Sequence, residues 1–80
     1  MAGHSAQLAK MARMELTRRT IDSSMLNVVV HGSTVQITGV IRPLRGHNNI
    51  DLKEEMGLIS NIIRQRLGVH EVVWDVTIRA

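Results

Sequence analysis

The sequence predicts a small α+β domain, an αββαβ sandwich in which two helices pack on one face of a three-stranded sheet. Three observations support this prediction: two β-branched runs joined by a glycine turn, an amphipathic segment with capping residues, and a closing run of alternating apolar and polar residues. Eighty residues can bury one core and little more. We therefore expect a single domain over residues 10–80, after a flexible segment, 1–9, whose first residues are compatible with a cloning remnant.

The first helix is predicted over residues 5–21, which are rich in good helix formers and contain no glycine or proline. Ser5 is the candidate N-cap, and an Asp-Ser-Ser run is expected to end the helix. The apolar stripe is loose, because Met14 and Ile21 are offset from the row that contains Met11. This helix is the least regular element of the predicted fold.

A β-hairpin is predicted by two β-branched runs, 26–31 and 34–42, which a Gly-Ser pair separates. Side chains alternate between the two faces of a strand, and the odd-numbered residues of the second run are the apolar set. We expect these residues to face the core. Gly39 falls on that face, where its missing side chain would let a helix approach closely or permit a bulge.

The second helix is predicted over residues 52–67, where apolar residues recur at spacings of three and four. The preceding segment, 43–50, contains proline, glycine and two asparagines, and its composition predicts a loop. Asp51 and Glu54 form a variant of the capping box at the start of the helix. Gly57 inside the helix costs about 1 kcal/mol relative to alanine, which suggests close packing against the sheet.

The last strand is predicted over residues 71–79, where an apolar and a polar face alternate. Trp74, the only aromatic residue, falls on the apolar face and is expected to be a core residue and not a stacking platform. The helix between the second and third strands makes those two strands parallel, with a right-handed crossover. Whether the third strand pairs with the first or the second stays open.

The residue patterns that carry catalysis or bind metals are absent or scattered. The chain has no cysteine and no G-x-S-x-G motif, and its four histidines lack metal-ligand spacing. Asp51, Glu54 and Glu55 lie at a helix start, where acids are favoured as caps and by the helix dipole. No apolar stretch is long enough to span a membrane, and no signal peptide is visible. We expect a binding domain that is not an enzyme and uses no cofactor or metal.

The net charge of +3 is unevenly distributed. The loop after the second strand carries basic residues and no acid, and the second helix ends in further cations. This bias favours anionic partners, although each cation near an anionic surface contributes only about 1 kcal/mol. The candidate ligand-binding residues are Arg42, Arg45, His47, Arg64 and Arg66.

Two stretches resemble the BON domain, a small αββαβ module of bacterial envelope and osmotic-stress proteins. Residues 31–40 are similar to its glycine and valine alternation across a hairpin, and residues 68–78 to its closing Gly-Val turn and valine-rich last strand. The resemblance implies an attachment module that docks on anionic phospholipid or on an envelope protein, with an envelope or periplasmic location. The family motif consists of structural residues, so it transfers no binding residue.

Two other hypotheses stay open. The same charges, together with Arg18 and Arg19, would support weak, salt-sensitive binding of nucleic acid. If the resemblance to BON domains does not hold, we expect a cytoplasmic location, which would favour nucleic-acid binding. A three-stranded sheet also leaves an edge that can pair with a second copy of the chain or with another domain.

Overall fold

A computed structural model of the chain describes residues 2–79, with side chains described from residue 6 onward. It is a small α+β domain with two helices and four strands. In chain order these are α1 (Ala2–Thr17), β1 (Ile21–Asp22), β2 (Leu26–His31), β3 (Thr34–Pro43), α2 (Leu52–Leu67) and β4 (Glu71–Ile78). Met1 and Ala80, the outer ends of the predicted segments 1–9 and 10–80, lie outside the described residues.

The sheet is mixed, and β3 is its central strand. β2 pairs antiparallel with one side of β3, and β4 pairs parallel with the other side. The predicted parallel pairing is confirmed, and the partner of the last strand is β3. The N–H of Val40 donates to the Met25 carbonyl at 3.0 Å. The N–H of Leu44, on the same side of the chain, donates to the Thr20 carbonyl at 3.0 Å. β1 and β2 are therefore two pieces of one interrupted edge.

The two-residue strand β1 was not predicted. The predicted first helix was wrong at both ends, because α1 begins before Ser5 and ends at Thr17. Ile21 leaves the helix to pair with Pro43 in the sheet and is buried in the core. Burial of this side chain outweighs the helix propensity of the residues before it.

The second helix is confirmed at both ends. The Asp51 carboxylate accepts the N–H groups of Lys53 and Glu54 at 3.0 and 3.2 Å, and Gly68 ends the helix with a φ of 70°. A left-handed residue at this position satisfies a terminal carbonyl without a Cβ penalty. The expectation for Gly57 was wrong, because a Cβ there would meet no atom within 4 Å.

One hydrophobic core lies between the sheet and both helices, so the two helices cover the same face. The odd-numbered apolar residues of β3 are buried as predicted. Trp74 packs against the core and its Nε1 donates to Ser60 Oγ on α2 at 2.7 Å. The buried apolar residues are Ala12, Leu16, Ile21, Val28, Val35, Ile37, Ile41, Leu52, Ile59, Ile63 and Val69.

Gly39 permits a bulge in the sheet, one of the two roles predicted for it. Residues 23–25 of the interrupted edge face only residues 40–41 of β3, so the edge carries one extra residue. The Met25 carbonyl turns toward β3 there and occupies the space of a Cβ on residue 39. Gly39 also has a φ of 111°, which L side chains rarely adopt. The backbone of Met25 and Leu26, and not a helix, approaches Gly39 closely.

Candidate functional site

The structure places the five candidate binding residues at two ends of the domain. Arg42 lies near the end of β3, and Arg45 and His47 lie in the loop that follows, whereas Arg64 and Arg66 lie in the last turn of α2. α2 has 16 residues and carries the chain about 24 Å back along the sheet. The five side chains do not form one cluster.

Arg42 is held by an acid of the bulged edge. Its Nε donates to Asp22 Oδ2 at 2.7 Å, and the N–H of Ser24 donates to Asp22 Oδ1 at 3.0 Å. Hydrogen bonds from Ser24 and then from Arg42 lower the pKa of Asp22 to about 2. The charge of Arg42 is therefore compensated locally, which reduces its value for binding an anion.

This carboxylate should make stability depend on acid pH. Its pKa is lower in the folded chain than the usual value of about 3.9, so its contribution is full above about pH 4 and is lost as pH falls toward 2. Asp22→Asn should therefore be less stable than the wild type near neutrality, and the difference should shrink through that window. Urea unfolding followed by Trp74 fluorescence measures it.

Glu54→Gln is the control, because Glu54 is exposed and its side chain forms no hydrogen bond or ion pair among the described residues. A difference between Asp22→Asn and the wild type that stays constant down to acid pH would contradict the assignment.

Arg45 and His47 are exposed on a turn, in which the N–H of His47 donates to the Leu44 carbonyl at 2.8 Å. Neither side chain forms an ion pair within the described range. Arg45 presents an unpaired charge at the tip of the loop, beside an exposed Leu44. Neither Arg45 nor His47 lines either of the two grooves described below.

A groove lies between α1 and the end of α2. Its volume is about 340 Å³. Met11 and Met14 supply apolar area from α1 and are 37% and 46% exposed. We call this surface the methionine–arginine groove, and its lining residues are Met11, Met14, Glu15, Arg18, Arg66 and Leu67.

Two guanidinium groups meet one carboxylate in the methionine–arginine groove. Arg18 Nη1 and Arg66 Nη1 lie 3.4 and 3.7 Å from Glu15 Oε2, so both pairs are long. The Glu15 side chain is only 13% exposed, whereas those of Arg18 and Arg66 are 55% and 62% exposed. The groove thus has one uncompensated positive charge, and both guanidinium groups keep N–H donors available to an anion.

Lys10 extends this charge along α1. Lys10 and Met14 are four residues apart and therefore share one side of α1, and Arg18 follows directly after the helix ends. Arg64 does not line the groove, and its Nη2 donates to Asn61 Oδ1 at 2.6 Å. Of the five candidate residues, Arg66 alone belongs to the groove.

Arg19, proposed for nucleic-acid binding, is bound inside the domain. Its Nη2 donates to both oxygens of Glu55, at 2.7 and 3.1 Å, and Thr20 Oγ1 donates to Oε1 at 3.0 Å. The hydrogen bond from Arg19 lowers the pKa of Glu55 against the opposing effect of burial, and the pKa of Arg19 is raised. Glu55 lies in the first turn of α2, as predicted, and its ion pair with Arg19 makes it a structural acid as well.

A second, more open groove of about 420 Å³ lies at the start of α2, where Asp51 lines it. The Asp51 carboxylate is already occupied as the N-cap.

Over residues 2–79, no group of three histidines or acids is arranged to hold a metal ion. No helix in that range is long and apolar enough to cross a membrane.

The methionine–arginine groove could not be found from the sequence, because Arg18 and Arg66 are far apart along the chain. The only signal was the irregular stripe of α1, in which Met14 fell outside the apolar row. An exposed methionine next to basic residues would have pointed to a surface role.

No protein-family model, curated protein or solved structure matches the chain.

Proposed function

We propose that this chain is a non-catalytic attachment domain that docks on anionic phospholipid surfaces through the methionine–arginine groove. The observation that carries the proposal is the placement of exposed methionines and incompletely paired arginines on one surface of the helix layer. This combination strengthens peripheral membrane binding, because apolar contact and attraction to anionic head groups add together.

The charge of the surface supports an anionic partner. Lys10, Arg18 and Arg66 face a single acid, Glu15, whose carboxylate is mostly covered. Each cation near an anionic membrane contributes about 1 kcal/mol, and the effect declines within a Debye length. Three cations give weak binding that salt should reduce, in agreement with the modest net charge of the chain.

The apolar part of the surface distinguishes a membrane from a free polyanion. Met11 and Met14 are unbranched and flexible side chains that adapt to irregular apolar surroundings. On a lipid surface they can enter the boundary between head groups and acyl chains, whereas a nucleic acid offers them no comparable environment. The engagement of Arg19 with Glu55 also removes one of the two arginines proposed for nucleic acid.

The resemblance to BON domains supports the same function. Members of that family are thought to bind phospholipid surfaces or to attach envelope components to one another. The order of the elements here is αββαβ with the short β1 added before the hairpin. We propose that the domain has the BON arrangement with an extended edge, and that attachment is its role.

The proposal predicts that charge removal in the groove weakens binding to vesicles. Arg18→Gln combined with Arg66→Gln should reduce affinity for phosphatidylglycerol-containing vesicles about 30-fold, from about 1 kcal/mol per cation. Co-sedimentation at an ionic strength of about 0.1 M measures this loss. Thermal unfolding of the same variant verifies that the fold is intact, which we expect because glutamine can still donate to Glu15.

Arg45→Gln combined with Lys53→Gln is the matched control, since it removes the same charge outside the groove. It should reduce affinity less than about threefold, because the Debye length is about 10 Å at this ionic strength, and Arg45 and Lys53 lie near the start of α2 whereas Arg66 lies in its last turn. An equal loss in both variants would show that binding is not localised to the groove, and a loss confined to this control would move the site to the loop that contains Arg45. Absence of vesicle binding by the wild type would overturn the lipid function, and binding of RNA or DNA oligonucleotides in its place would support nucleic acid.

A further inference from the structure

We propose that β4 pairs with β4 of a second copy, antiparallel, so that two domains share one continuous sheet. This inference concerns the sheet edge and not the helix groove. It is independent of the proposed function.

The backbone of β4 has one side without a partner. The N–H groups of Glu71 and Arg79 donate to carbonyls of Ser33 and Ile41, so the odd-numbered residues of β4 direct their backbone groups toward β3. The even-numbered residues direct theirs away from β3. No strand in the described part of the chain pairs with this edge, which exposes the N–H and C=O groups of Val72, Trp74, Val76 and Ile78.

β4 is the longer and more regular of the two edges. It pairs with β3 through eight consecutive residues and contains no glycine, proline or bulge. On the opposite edge, the bulge at residues 23–25 interrupts the pairing with β3. Within β2, only Val28 and Val30 direct a free N–H outward. Natural proteins protect edges with short strands, prolines and bulges. β2 has such protection and β4 does not.

The side chains along the β4 edge also favour a protein partner. Val72, Trp74 and Val76 are half-buried against α2, and Ile78 is 43% exposed. A second β4 would cover the exposed parts of these side chains in addition to pairing the backbone.

Charge selects a register for this pairing. When the two-fold axis passes through Asp75, the four even-numbered residues pair among themselves, and all the free backbone groups of the edge are used. Glu71 then lies opposite the partner's Arg79, and symmetry repeats this pair. Asp75 lies opposite the partner's Asp75, which is unfavourable. Two attractive pairs at the ends thus oppose one repulsive pair at the centre.

The dimer would have both helix layers on one side of the shared sheet, because paired residues of an antiparallel ladder point to the same face. Two methionine–arginine grooves would then face one membrane and bind it bivalently, a consequence that, unlike the dimer, rests on the proposed function.

Charge exchange tests the proposal on the full chain in the absence of lipid. Sedimentation equilibrium of the wild type should show a mass that rises with concentration toward twice the monomer mass of 8.9 kDa. Glu71→Arg and Arg79→Glu should each weaken association about tenfold, because each replaces two attractive pairs with two repulsive pairs. The double exchange should restore the affinity to within about threefold, and Asp75→Asn should strengthen it several-fold.

Proline substitutions give a second test that identifies the edge. Val76→Pro removes an outward N–H and leaves the pairing with β3 intact, so it should abolish the dimer. Val30→Pro makes the matching change on the β2 edge and should leave the dimer unchanged. A wild type that stays monomeric, a double exchange that fails to restore association, or a Val30→Pro variant that loses it would each overturn the proposal. Because no lipid is present, this failure is distinguishable from failure of vesicle binding.

Discussion

Gly39→Ala should remove most of the stability of the domain. Residue 39 has a φ of 111°, and an alanine Cβ would collide with the Met25 carbonyl oxygen. Backbone strain of this kind costs about 1–3 kcal/mol, and forced overpacking costs about 1–3 kcal/mol more. Domains are typically stable by about 5–15 kcal/mol, and small ones lie at the low end. We expect a loss of about 4 kcal/mol.

The Met25 carbonyl cannot easily move away from the new methyl group, because it accepts the N–H of Val40 across the bulge. Relief of the collision would break this hydrogen bond and shift the start of β2. Urea unfolding followed by circular dichroism measures the loss.

Gly57→Ala is the matched control for Gly39→Ala. Gly57 lies inside α2 with open space around its Cα, so the change should stabilise the chain by about 0.5–1 kcal/mol through helix propensity. The same substitution should therefore have opposite effects at the two positions. If Gly39→Ala unfolded at the same urea concentration as the wild type, the assignment of the bulge would be incorrect.

Glu55→Gln should destabilise the domain by about 2 kcal/mol, the second large effect. Glu55 is 7% exposed and accepts hydrogen bonds from both Arg19 and Thr20. An amide of the same shape keeps one acceptor oxygen but leaves the Arg19 guanidinium beside a neutral group. Removal of one member of a buried ion pair costs about 3–5 kcal/mol, and the one-third exposure of the Arg19 side chain reduces that figure.

Loss of the Arg19–Glu55 ion pair should also loosen the packing of the two helices, because this pair attaches the segment after α1 to the first turn of α2. Glu54→Gln, the same change at the neighbouring exposed residue, should alter stability by less than about 0.5 kcal/mol. A double-mutant cycle with Arg19→Met measures the coupling between Arg19 and Glu55. A coupling energy near zero would show that Glu55 acts by packing and not through Arg19.

The elements whose stability comes from local sequence were predicted with their boundaries. α2 carries its own N-cap at Asp51 and its own left-handed terminus at Gly68, so short-range hydrogen bonds define both ends. The hairpin between β2 and β3 is closed by Gly32, whose φ of 58° fits the first central position of a type II′ turn. These features involve residues a few positions apart, and a sequence pattern contains them completely.

The candidate site was predicted only in part, since its chemistry depends on distant residues. Arg66 was expected to bind an anion, but Arg18 joins it only through the packing of α1 against α2. Conversely, Arg19 and Arg42 appeared to be free cations and are paired with Glu55 and Asp22. A count of charges along the chain could not separate the compensated arginines from the available ones.

The sequence by itself determined the order of the two helices and three longer strands, the capped helix, the hairpin and the faces of β3 and β4 that enter the core, because alternation and capping act over short distances. Only the tertiary structure decided where α1 ends, since Ile21 is buried in the core as part of β1 and does not continue the helix. It also decided which arginines are free and which strand edge is open. Those properties depend on contacts between segments far apart in sequence, which form only when the chain folds.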